Sequence, residues 1–124
     1  MAEPRMARQS PIVKANKEVV GRKVINQQGE NLGKVEEVMI DTVPARVAYA
    51  VLSFGGFLGM GDKLFAVPWH SLQFDPERDA LVMNATKDHL KNAPGFDKNN
   101  WPNMSDANFR SNVYSYYGAP PYWE

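Results

Sequence analysis

From residue 18 to about residue 84, short apolar runs are separated by Gly, Pro, Asp and Asn at fairly regular spacing. That punctuation predicts an all-β unit. Residues 19–25 predict a first strand interrupted at Gly21, and 26–31 a turn in which Gly29 supplies a positive φ. Residues 32–41 predict a longer second strand. Its alternation fails at Glu36 and Glu37, two adjacent acids between Val35 and Val38, and a β-bulge there restores the register. After a turn at 42–45, residues 46–54 predict a third strand that is apolar on both faces. Such a strand is central, or is covered on its outer face by another element. Residues 63–69, 71–74 and 80–84 predict the remaining strands, the last two forming a hairpin around 75–79.

The pattern then changes. Thr86 predicts the cap of a short helical turn over 87–92, stopped at Pro94 and Gly95. Ser105 predicts an N-cap, with Asp106 favouring the first turn through the helix dipole. Phe109, Val113, Tyr116 and Tyr117 then form one stripe of a helix over 106–117. Gly118 is its expected stop, and Pro120 with Pro121 forbids continuation. The expected division is a polar leader at 1–17, a β domain at 18–97, and a helix with an aromatic tail at 98–124.

Composition narrows the function classes. A chain of 124 residues suits one domain, and 44% hydrophobic residues permit a real core. There is no cysteine, so disulfides and thiolate chemistry are excluded, in keeping with a bacterial cytoplasmic protein. No apolar stretch approaches the ~20 residues that span a membrane. The net charge of zero hides a basic start: Arg5, Arg8, Lys14, Lys17, Arg22 and Lys23 stand against Glu3 and Glu18. The strands themselves are balanced or acidic, which argues against a nucleic-acid groove.

Catalytic and metal motifs are sparse. His70 and His89 are the two histidines, and neither has metal-ligand spacing. Glu36, Glu37 and Asp41 form the densest acidic cluster, expected as a solvated face. Ser53 and Ser71 lie in no nucleophile motif. The glycine-rich stretch 55–61 lacks the Lys-Ser/Thr of a phosphate loop. It carries Phe57, Leu58 and Met60, which either plug one barrel end or meet a partner. Phe109, Tyr114, Tyr116, Tyr117, Tyr122 and Trp123 place six of the fourteen aromatic residues in the last 18 positions. They either cover the outer face of 47–54 or contact another chain.

Several segments, taken in order, resemble the PRC-barrel family. Gly21 to Val24, Gly29 to Val35 and Glu37 to Asp41 look like its opening hairpin. Ala48 to Ser53 looks like its central apolar strand, and Gly55 to Gly59 with Gly61 to Lys63 is similar to its glycine-rich connection. Phe65 to Leu72 resembles its Val-Pro-Trp strand. Leu81 to Thr86, Leu90, Ala93 and Pro94 resemble the closing strand and short helix. The resemblance implies a mainly β fold: a small barrel of about six strands, here with a short C-terminal helical extension. In that family such barrels occur in the H subunit of the photosynthetic reaction centre, in a ribosome-maturation factor and in stand-alone bacterial and archaeal proteins. It implies a module for protein contact and assembly with no shared catalytic motif. On that basis a non-catalytic, self-associating module with no cofactor and no metal is expected. The expected partner is a protein or a second copy, met through Phe57, Leu58, Met60 and the six tail aromatics. Two other classes stay open: a ribosome- or RNA-associated assembly factor, and a ligand-binding protein or enzyme built around His70.

Overall fold

Three skipped residues and one glycine bend the sheet of this protein. The computed structural model describes residues 12–55 and 62–124. In chain order its elements are β1 (Lys23–Ile25), β2 (Asn31–Asp41), β3 (Arg46–Gly55), β4 (Asp62–Pro68), β5 (Leu72–Asp75), β6 (Ala80–Met83), α1 (Lys87–Lys91), β7 (Phe96–Asp97) and α2 (Ala107–Tyr117). One sheet runs β5-β6-β1-β2-β3-β4-β7. Among the described residues only the β1–β6 pairing is parallel. Among the described residues the sheet has seven strands rather than about six, the two-residue β7 being the addition, and its hydrogen-bond ladder does not close. Pro68 ends β4 without an N–H to donate. A 3₁₀ turn at Trp69–Ser71 then redirects the chain into β5, which pairs with β6 and not with β4.

The β1–β2 register skips Leu32, and the β2–β3 register skips Glu36 and then Ala48. The break at Glu36 is the bulge expected from its adjacent acids. Gly29 has φ +85°, as the predicted turn requires. That turn is organised by Asn26, whose buried side chain accepts from the Gln28 and Glu30 amides and donates to the Glu30 carboxylate. Gly33 is the tightest point. It sits at φ +108°, and a Cβ there would fall on the Ser53 carbonyl oxygen of β3. Only glycine allows β2 and β3 to approach at that place.

β1 is shorter than the predicted 19–25. Ala15–Val19 forms a π-turn instead, and Gly21 at φ +89° turns the chain into the strand. Val13, within the predicted leader, packs against the core. Residues 1–11 lie outside the described part.

Two apolar clusters use the two faces of β3. Ala50 and Leu52 join Val24, Leu32, Val35, Phe65, Val67, Leu81 and Met83 in the inner core, which Leu90 of α1 caps. Val67 on β4 and Leu81 on β6 are four places apart in the sheet and share this cluster, so the sheet curls around it. On the outer face Ala48, Tyr49 and Ala66 meet Tyr114 and Tyr122. The predicted cover for the apolar third strand is therefore α2 and the tail. Asp106, not Ser105, caps α2: its side chain accepts from the Asn108 amide at 2.9 Å. Asn103 takes the Ser105 amide and its carbonyl takes that of Asp106, which moves the cap one residue on. Gly118 ends the helix at φ +66°, as expected.

Replacing Gly33 with Ala is expected to cost about 3 kcal/mol or more, through backbone strain and a forced separation of β2 from β3. Chemical denaturation checks it. Deleting residues 105–124 uncovers Ala48, Tyr49 and Ala66. The burial lost with Tyr114 alone is roughly 150–250 Å², about 4–6 kcal/mol of gross stabilisation. The expected outcome is a much lower melting temperature or precipitation; an unchanged thermal melt would contradict the packing described here.

Candidate functional site

The skipped residue Ala48 sets the geometry of the site. Having no partner in the β2 register, it leaves a carbonyl that the buried Tyr114 hydroxyl reaches at 2.5 Å. That bond fixes α2 across β3. Phe109 meets the Tyr49 ring edge-on at 5.8 Å, and Tyr114 meets it at 6.0 Å. The Tyr49 hydroxyl donates to the Met104 carbonyl at 3.3 Å.

The tail then folds back toward the β2–β3 turn. Tyr122 donates its hydroxyl to Asp41, the last residue of β2, at 2.5 Å. Arg46, the first residue of β3, donates to the Tyr122 carbonyl at 2.7 Å. Arg110 of α2 lies 3.7 Å from the same Asp41 carboxylate and 4.3 Å from the Trp123 ring centroid, in cation–π range. Its Nε is buried and has no hydrogen-bond partner among the described residues. The Tyr122 hydroxyl holds the Asp41 carboxyl below the usual carboxylate range, helped by the Val43 amide and the Arg110 charge. Burial, then the bond to Asp41, pushes the Tyr122 phenol up. The ionised Asp41 carboxylate is thus held between a neutral phenol and the Arg110 guanidinium.

Above this network opens a cleft of about 540 Å³. Its walls are largely apolar: Met39, Ile40, Val43, Pro44 and Met104. Ile40 is 63% exposed and Val43 is 92% exposed. A valine at the tip of a turn and an isoleucine beside it form an uncovered apolar rim. The sequence contained the signal, because Val43 is an apolar residue where turns favour polar ones.

The predicted contact residues are distributed as follows. Phe109 and Tyr114 pack against β3 within the chain. Tyr116 stacks on His89 at 4.1 Å and donates its hydroxyl to the His89 carbonyl at 2.6 Å. The His89 ring returns a bond to the Tyr116 carbonyl at 2.9 Å, which requires the proton on Nε2. Tyr117 leans on the inner core. Tyr122 and Trp123 line the cleft. Phe57, Leu58 and Met60 lie outside the described residues.

A second cavity, about 350 Å³, contains His70 with Gln27, Ser71, Gln73, Asn84 and Tyr117. It is the pocket that an enzyme reading would need, and its lining carries no carboxylate. The Tyr117 hydroxyl is buried without a hydrogen-bond partner among the described residues, and burial raises its ionisation well above that of a free phenol. Among those residues no three His, Cys, Asp or Glu side chains gather to hold a metal ion. Among the described residues no helix is long and apolar enough to cross a membrane.

An open, curled sheet with a short capping helix and an apolar cleft defines a small β-scaffold. The family model for the PRC-barrel domain matches residues 12–90, and the chain belongs to that family. No curated protein matches it.

The buried phenols give a pH dependence. Burial pushes Tyr114 up to about 12 and raises Tyr49 and Tyr117 as well. A tyrosine raised in the folded state stabilises fully below its unfolded value near 10. That stability drains away as pH rises toward the folded value. Absorbance at 295 nm should therefore show these tyrosines ionising late, together with alkaline unfolding. Tyr114→Phe leaves the Ala48 carbonyl unpaired and should lower stability by about 1–3 kcal/mol at neutral pH. Full ionisation near pH 10 in a protein still folded by circular dichroism would refute the burial.

Proposed function

We propose that this protein is a non-catalytic association module of the cytoplasm that binds other protein chains, its own included. The observation that carries the reading is the apolar rim of Ile40 and Val43 around a cleft whose charges are already paired. Water gains nothing from such a surface, and burying it against a partner is favourable at about 25 cal/mol per Å². Aromatic rings and an arginine at the base of the cleft, Tyr122, Trp123 and Arg110, are the residue types enriched where protein surfaces meet. Membership of the family supports the same reading, since its barrels serve as interaction modules.

Sedimentation equilibrium over a wide concentration range tests it. The wild-type mass should rise above the 13.9 kDa of one chain as concentration increases. Val43→Lys places a charge on a side chain that is 92% exposed, so folding should be untouched while association weakens at least tenfold. A wild-type protein that stays at one chain mass throughout would remove the self-association part of the reading.

A further inference from the structure

We propose that the cleft receives the apolar loop of a second copy of this chain, so that copies join head to tail through Phe57, Leu58 and Met60. The inference rests on the self-association reading and names its two faces.

The cleft and the two residues that flank 56–61, Gly55 and Asp62, are at opposite ends of β3. The cleft is lined by Met39 to Pro44 together with Ala48 and Tyr49, at the start of the strand. The loop springs from its far end, between the paired residues Gly55 and Asp62. From Arg46 to Gly55 the strand covers about 30 Å. A loop of six residues tethered at both ends reaches about 12 Å from its base. No chain can therefore fill its own cleft with its own loop, and a second copy can.

Chemistry selects this occupant over the other segment outside the described residues. Residues 56–61 carry no charge and three large apolar side chains. Residues 1–11 carry Glu3, Arg5 and Arg8. The cleft offers no free counter-charge, because Asp41 already takes the Tyr122 hydroxyl and lies beside Arg110. An uncharged apolar guest matches apolar walls that include two flexible methionines, Met39 and Met104. Contact between two different patches is heterologous, so it produces rings or open chains rather than a closed symmetric dimer.

Mixing complementary variants tests this. Val43→Lys blocks the cleft and keeps the loop. Phe57→Ser blunts the loop and keeps the cleft, with Leu58→Lys as the second loop variant should Phe57→Ser lose its cooperative melt. The wild type should grow beyond two chain masses at high concentration. Each variant alone should stay at one chain mass, and the equimolar mixture should stop at two. A wild type that associates beside a mixture that remains monomeric would overturn the head-to-tail contact and leave self-association standing. Continued association of either variant alone would overturn it too. A wild type that never associates would overturn both.

Discussion

The hydrogen bond from Tyr114 to the Ala48 carbonyl is the contact on which the outer half of this molecule depends. A strand apolar on both faces cannot face water on either. The curled sheet buries the inner face of β3, and α2 must bury the outer one. Where the helix sits is decided by a carbonyl of β3 that is open to the Tyr114 hydroxyl. The skipped residue supplies that carbonyl, and the only polar atom of a buried ring meets it. Packing and polar satisfaction therefore select the same position for the helix, which neither would fix alone.

The position of the cleft follows from that anchor. With Tyr114 set on Ala48, Arg110 lies one helical turn earlier and comes near the end of β2. After Gly118 the chain turns back, and Tyr122 reaches Asp41. The tail thus closes around the β2–β3 turn without covering it, and Ile40 and Val43 remain bare. The polar groups beneath are arranged so that each charge has a partner: Asp41 lies between a phenol and a guanidinium, and Arg110 lies over Trp123. A site with its charges settled in this way discriminates by shape and apolar area, not by electrostatic steering.

Much of the fold was legible in the sequence because it rests on local rules. Adjacent acids between valines announced the Glu36 bulge, Gly29 announced its turn, and the two-faced strand announced that something must cover it. The boundaries that failed depended on longer-range contacts. Residues 19–22 have strand composition, yet the π-turn and Gly21 turn them out of the sheet. Ser105 is as good a cap by type as Asp106, and only the Asn103 side chain, by taking the Ser105 amide, moves the helix start. The third skip, at Ala48, leaves no local mark at all. An alanine among apolar neighbours does not reveal that its carbonyl is free, and so the docking of Tyr114 could not be read in advance.

The candidate site was legible in a different sense: its residues were visible, and their division between inside and outside was not. Aromatic residues gathered at a terminus fit a partner surface and an intramolecular cover equally well. Hydrophobic stripe spacing favoured Tyr116 and Tyr117, whereas the residue driven deepest is Tyr114, one position off the stripe. The reason is that α2 straddles the two clusters, with Tyr116 and Tyr117 turned toward the inner core and His89, and Phe109, Val113 and Tyr114 toward β3. Once those six rings are placed within the chain, Val43 and Ile40 beside the start of β3 remain among the most exposed apolar side chains of the described residues. A scaffold that spends its aromatic residues on covering its own sheet still leaves the β2–β3 turn, with Val43 and Ile40, as an apolar edge that the tail does not cover.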